Sequence, residues 1–264
     1  MKKSNSEVKE TLSSVDRVLM ILDYLSTKRS GASLSELSKE LNIPKTTAFR
    51  ILETLTQRDY IEFENATEKY SIGLTAITMS MNALSNMNIV EVTIPYLKEL
   101  ASKTEETTFL GVYNEGQIIY LYKKEGTRSI LMNSQLGSRR DVHSTGLGKA
   151  ILSGFPQHQV TNILEEYGMR KMTENTITDP IDYISELDKV RINGYAMDNE
   201  EFEKGLGCYA APIYNYEGKA VAAICVSGPI ERIIQNKEVL VTELKEAVDQ
   251  ISRRMGFVPS MLVQ

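Results

Sequence analysis

The chain has 264 residues, with 30 Lys and Arg against 35 Asp and Glu and a formal net charge of −5. It is long enough for two cores and is not a general polyanion binder. No run of roughly 18 apolar residues occurs, and the start, Met1 to Glu10, lacks the apolar centre of a secretory signal, so a soluble cytoplasmic protein is expected.

In chain order, Val15, Val18, Leu19, Leu22 and Leu25 recur at helical spacing and predict a first helix with one apolar stripe. Ser33 and Glu36 have the S-x-x-E spacing of a capping box, followed by Leu34, Leu37 and Leu41 on a second helix. Asn42-Ile43 interrupts the pattern, and Pro44 suits the first position of a third helix, where its missing N–H costs nothing. On a 3.6-residue wheel Ala48, Ile51, Leu52 and Leu55 share one face. Thr46, Arg50, Glu53 and Gln57 lie opposite, with Thr47, Phe49 and Thr54 at the margins.

That outer face carries side chains that contact bases and phosphates when a helix enters a major groove. A solvated face of an ordinary helix pair has the same pattern, and the flanks separate the two. Tyr60 to Gly73 predicts two short strands around a polar turn at Glu64–Glu68, with Lys69 on its far side. Three helices and a hairpin describe a winged helix-turn-helix. Thr46, Thr47 and Arg50 are then candidate groove readers, and Lys45 and Lys69 candidate phosphate contacts. Residues 1–70 hold 11 Lys and Arg and 11 Asp and Glu, a net of zero. The remainder holds 19 and 24, a net of −5. Charge therefore permits DNA binding through a local patch without requiring it.

Leu74 to Asn88 has no charge and three methionines, and predicts one linker helix, residues 74–88, suited to contact with a second copy of the chain. The expected division is 1–73 DNA-binding, 74–88 linker and 89–264 a second domain. From Ile89 the pattern predicts a helix to Lys103, strands at Thr107–Tyr113 and Gln117–Lys123 around Asn114-Glu115-Gly116, and a strand at Ser129–Asn133. Helices follow at Gly148–Ser153, Gln157–Tyr167 and Pro180–Asn193, then strands at Tyr195–Asp198, Cys208–Tyr214 and Ala220–Ser227. A last helix, Lys237–Met255, carries Leu240, Leu244, Ala247, Val248, Ile251 and Met255 as one stripe. Hairpins with helices inserted between them indicate an α+β class.

Seven ordered segments carry a resemblance. They are Leu41-Asn-Ile-Pro-Lys-Thr-Thr-Ala-Phe-Arg-Ile-Leu, Tyr70-Ser-Ile-Gly, His143-Ser-Thr-Gly-Leu-Gly-Lys-Ala, Thr173-Glu-Asn-Thr-Ile, Gly194-Tyr-Ala-Met-Asp-Asn-Glu-Glu, Gly205-Leu-Gly-Cys-Tyr-Ala-Ala-Pro-Ile and Ala222-Ala-Ile-Cys-Val-Ser-Gly-Pro. In this order and spacing the chain resembles the IclR family of bacterial transcriptional regulators over nearly its whole length. The resemblance implies a winged helix, a linker helix and a GAF-like effector domain. It further implies homodimers or homotetramers on palindromic operator DNA, modulated by a small organic acid, more in the manner of a repressor.

The His143 segment places Gly146 and Gly148 where a loop enters a helix. Free N–H groups at such a point seat a carboxylate, although the glycines alone also fit a tight turn. The resemblance aligns the Gly146 and Leu147 amides with positions that hold an acidic ligand in relatives. It aligns Asp198, Cys208, Cys225 and Ser227 with other pocket positions. A carboxylate beside an acid must accept a hydrogen bond or be protonated, so Asp198 points to an effector with a hydroxyl or a hydrated carbonyl as well.

The alternative is an enzyme or metal sensor built on Cys208 and His143. No close ligand pair such as C-x-x-C occurs, and nothing in the sequence supplies a third group or an oxyanion hole. No cofactor, no metal and no catalytic residue is expected. A module regulating by protein contact, with the helix-turn-helix used only for dimerisation, is a third reading.

Overall fold

The computed structural model describes residues 13–28, 30–85, 87–128 and 135–258. The chain forms two compact units, divided at residue 86.

The first unit begins with α1 (Ser14–Ser26), capped by Ser13, whose hydroxyl accepts from the Asp16 amide while the Asp16 carboxylate accepts from the Ser13 amide. Its buried positions are Ile21 and Leu25, whereas Val15 and Leu19 are exposed. The expected stripe is therefore displaced towards Ile21. β1 (Ala32–Ser33) leads into α2 (Leu34–Glu40), where Ser33 accepts from the Glu36 amide at 3.2 Å. Glu36 does not complete the capping box. Its carboxylate instead accepts from the Tyr24 hydroxyl at 2.9 Å and pairs with Lys28.

Asn42 adopts a left-handed φ of 52° and turns the chain into α3 (Lys45–Gln57), with Pro44 as N-cap, one position earlier than expected. Ala48, Ile51, Leu52 and Leu55 are the buried residues of α3, as the wheel predicts. β2 (Ile61–Glu64) and β3 (Lys69–Ile72) form the wing, with Glu64 opposite Lys69, and the short β1 adds a third strand on the other side of β3. Helix α4 (Leu74–Ser85) ends before the expected Asn88, and Asn88 instead caps α5.

In the second unit α5 (Ile89–Thr104) precedes β4 (Thr107–Asn114), β5 (Gln117–Lys124) and β6 (Arg139–Asp141). The strand expected at Ser129–Asn133 lies outside the described residues. A single 3-10 turn, Val142–Ser144, enters α6 (Gly146–Ser153), followed by α7 (Gln157–Tyr167) and α8 (Pro180–Asn193). β7 (Ala196–Asn199), β8 (Leu206–Tyr214), β9 (Ala220–Pro229), α9 (Ile230–Gln235) and α10 (Lys237–Arg254) complete it.

The six strands form one antiparallel sheet in the order β6-β5-β4-β9-β8-β7. One face packs Leu110, Tyr209, Ile213, Ile224 and Val226 against Leu97 of α5 and Leu240, Leu244 and Ile251 of α10. The other packs Phe109, Ile118, Cys208, Ala210 and Cys225 under Leu147 and Ile151 of α6 and Leu187 of α8. Because both faces of β8 and β9 are covered, these strands are apolar runs without alternation.

Candidate functional site

Two places follow from this scaffold, one in each unit. In the first, packing of Ala48, Ile51, Leu52 and Leu55 fixes the rotation of α3 and leaves Thr46, Phe49, Arg50 and Glu53 exposed. Thr46, Thr47 and Arg50 line an open groove with Ser14 and Val18 of α1. Among the described residues Lys45, Arg50 and Lys69 make no salt bridge, although the Lys69 charge acts on Glu36. The wing itself is acidic at its tip, with Glu62, Glu64 and Glu68 exposed and Lys69 half-buried beside them.

In the second unit the 3-10 turn delivers the chain to the N-terminus of α6. Thr145 caps the helix, its hydroxyl accepting from the Gly148 amide at 3.0 Å. The amides of Gly146 and Leu147 precede that bond and have no carbonyl a turn earlier within the helix. Together with the positive end of the helix dipole they have the chemistry of a candidate anion seat. Gly148 is structural: a Cβ there would strike the Val142 carbonyl.

All six expected effector residues line one cavity, Gly146 and Leu147 from α6, Asp198 from β7, Cys208 from β8, and Cys225 and Ser227 from β9. Register explains the convergence. Cys208 pairs with both Asp198 and Ser227, and Cys225 pairs with Ala210, so all four side chains point to the α6 face. The empty space of the cavity, its open mouth included, is about 500 Å³. Phe109, Tyr120, Phe202, Glu203 and Leu206 also line it, and none of them is expected from the sequence. They come from β4, β5, the β7–β8 connection and the start of β8, whose approach no local pattern encodes.

Burial, then the neighbouring Glu201, pushes the Asp198 carboxyl up to about 7, against the Glu201 amide, which donates to Oδ1 at 2.8 Å, and the Lys149 charge. Lys149 is fully buried, with Nζ 2.5 Å from Glu201 Oε1 and 3.9 Å from Glu186 Oε1. A carboxyl held mostly protonated below neutrality is a hydrogen-bond donor and tolerates an anion beside it.

The same shift has a consequence for stability. The ordinary carboxylate value is 3.8, so between about pH 4 and pH 7 the folded state keeps a proton that the unfolded state has released. That contribution is fully present at low pH and is lost as pH rises through about 7. Asp198→Asn mimics the protonated form and removes the dependence. Its unfolding free energy relative to wild type should therefore rise between pH 4.5 and 8, by up to about 3 kcal/mol at 1.36 kcal/mol per unit. Parallel denaturant-derived pH profiles for the two proteins would contradict this.

A thiol–thiol hydrogen bond with Cys225, then burial, pushes the Cys208 thiol well up, opposite to what a nucleophilic cysteine needs. His143 is buried, and its Nε2 lies 3.0 Å from the Arg170 carbonyl. Among the described residues no group of three or more His, Cys, Asp or Glu is arranged to hold a metal ion, and no helix is long and apolar enough to cross a membrane. The Cys208–His143 alternative gains no support from this geometry.

Comparison with known proteins covers both units. The model of the bacterial transcriptional regulator IclR C-terminal domain matches residues 81–253, and that of the IclR helix-turn-helix domain matches residues 14–65. The chain is 33% identical to the HTH-type transcriptional regulator KdgR of Dickeya chrysanthemi over 94% of its own length and 81% of the relative's. It is 30% identical to the HTH-type transcriptional repressor AllR of Klebsiella pneumoniae over 93% of this chain and 90% of that one. The crystal structure of Thermotoga maritima IclR superposes with a TM-score of 0.63 at 31% identity, covering 92% of this chain and 98% of that one. Pseudomonas aeruginosa HmgR, at 23% identity and a TM-score of 0.82 over 94% and 100% of the two chains, shares the fold. The chain belongs to the IclR family of bacterial transcriptional regulators.

Proposed function

We propose that this regulator acts as a repressor on palindromic operator DNA and that a small organic acid in the α6 cavity changes its affinity. The observation that carries this reading is the presence of Thr46, Thr47 and Arg50 along an open groove of α3 together with the Gly146 and Leu147 amides in the α6 cavity. Thr46, Thr47 and Arg50 read base edges, while Lys45 and Lys69 hold phosphate. The acid sits on the two amides and meets the Asp198 carboxyl, Cys208, Cys225 and Ser227. The six residues supply binding groups and no activated nucleophile, so the cavity is read as a sensor and not as an active site.

Two half-sites about one helical turn apart require two copies of the chain. Leu19 and Val15 on α1, and Leu74, Ile77, Met79 and Met81 on α4, are exposed apolar side chains suited to that contact. The domain division follows the same reading: α1 to the wing for DNA, α4 for coupling, and the unit from α5 onward for the effector. An acid bound preferentially by one arrangement of the dimer shifts its population and so changes operator affinity.

Arg50→Ala tests the DNA half. Removing a base-edge hydrogen bond at this position should weaken operator binding by about 1–3 kcal/mol per half-site and relax base preference at one position. Lys45→Ala should weaken all sequences alike and reduce the salt dependence by about one phosphate. Unchanged affinity and sequence preference for Arg50→Ala, measured by fluorescence anisotropy, would favour regulation by protein contact.

A further inference from the structure

The anion seat occupies the β7–β8 side of the cavity. Gly146 stands against Cys208 and Asp198 there. The opposite side is formed by Phe109 of β4 and Tyr120 of β5, with β6 paired to β5 just beyond them. Tyr120 of β5 lines the cavity, its ring packed edge-on to Phe109. Among the described residues its hydroxyl has no hydrogen-bond partner. Burial, then the neighbouring Cys225 and Cys208 thiols, raises the phenol, so it remains a proton donor at any physiological pH.

Arg140 of β6 stands next to it. The pairing of Ile118 with Arg140 puts both side chains on one face of the sheet, and Ile118 belongs to the core beneath α6. Arg140 thus points to the cavity face, as Tyr120 does two residues beyond Ile118. Its guanidinium lies 4.7 Å from the ring centroid of Phe202, which reaches over from the β7–β8 connection and lines the cavity. Nη1 donates to the Arg139 carbonyl, but Nε is buried with no partner among the described residues. An arginine makes five donors available in a planar fork, and leaving a buried one unpaired is costly unless a ligand supplies the acceptor.

We propose that Tyr120 and Arg140 form a second anion seat, so that the effector carries an acidic group at each end. This rests on the organic-acid reading of the first seat and narrows its ligand class to diacids, carboxylate or phosphate at the far end. Strands β5 and β8 lie three spacings apart, about 14 Å, and β6 one spacing further, with the Arg140 guanidinium stacked on Phe202 of the cavity wall. A short, extended acid therefore spans the two seats. Glu203 at the rim is exposed, and solvent screens its charge.

The test is isothermal titration calorimetry of the full chain with matched pairs of acids: butyrate with succinate, 2-oxovalerate with 2-oxoglutarate, and glycerate with 3-phosphoglycerate. A charge-assisted fork of this kind predicts that at least one diacid binds about tenfold or more tightly than its monoacid partner. The first two pairs report a carboxylate at the far end, the third a phosphate. In Arg140→Met that ratio should fall close to one, and in Tyr120→Phe it should fall part of the way. Arg140→Lys should retain part of the preference, and Arg139→Met, on the exposed neighbour, should keep it. Equal affinity for both members of every pair, or an Arg140→Met protein that keeps the wild-type ratio, overturns the second seat and leaves the acid reading standing. Absence of binding by every monoacid and diacid overturns both.

Discussion

Replacing Lys149 with methionine is expected to destabilise the C-terminal unit by about 3–5 kcal/mol. Lys149 sits on α6, one turn beyond the anion seat, with its side chain fully buried between Glu201 and Glu186. Glu201 is itself buried, and its Oε2 already has no hydrogen-bond partner among the described residues. Without the ammonium, Glu201 is left as an uncompensated buried charge, a penalty larger than the net worth of the intact pair. The chain around Glu201 is also tied in place: its backbone carbonyl accepts from the Thr176 hydroxyl at 2.7 Å, and its amide holds Asp198. Loss of Lys149 should therefore loosen the effector cavity together with the core. Urea unfolding followed by circular dichroism measures the effect. The double variant Lys149→Met with Glu201→Gln should recover much of the loss, since both charges go together. A single variant within about 1 kcal/mol of wild type would show that water reaches Glu201.

The second large effect is on ligand response. In Gly146→Val the new Cβ would lie 2.6 Å from Cys208 Sγ, 3.4 Å from the Ala210 Cβ and 3.5 Å from the Asp198 Cβ. The sulfur can rotate away, so Gly146→Ala should be the milder change. The two γ-methyl groups of valine have no such escape and occupy the space in front of the Gly146 and Leu147 amides. Acid affinity should fall about 100-fold or more, equivalent to about 2.7 kcal/mol. The operator should still be bound, because the substitution lies in the other unit from α3. A Gly146→Val protein whose DNA affinity still responds to acid at the wild-type midpoint would remove Gly146 from the site.

Much of this is legible in the residues, for definite reasons. The buried face of α3 follows from a clean 3.6-residue repeat, and α7 and α8 match their expected limits because Pro156, Pro180 and Gly194 mark their ends. β6 is not, because Arg139-Arg140-Asp141 has no strand composition and forms only by pairing with β5. β1 is two residues long and is fixed by β3 alone. In α1, Val15 and Leu19 share the apolar spacing of Ile21 and Leu25 but are exposed, since periodicity does not say which part of a wide stripe meets the core.

The candidate cavity divides in the same way. Gly146, Leu147, Asp198, Cys208, Cys225 and Ser227 sit in segments that carry the family resemblance. Tyr120, Phe202 and Arg140 do not; only the sheet order brings Tyr120 to the cavity wall and sets Arg140 against Phe202 there. Lys149 reads as an ordinary helix lysine until its burial beside Glu201 is seen.

The most direct test of the account is a fluorescence-anisotropy titration of the full chain on the DNA upstream of its own gene, repeated with short monoacids and diacids. Specific binding whose midpoint one acid shifts, with the shift abolished by Gly146→Val, is the predicted result. Specific binding that no acid alters in wild type would contradict the proposal that the α6 cavity gates DNA binding.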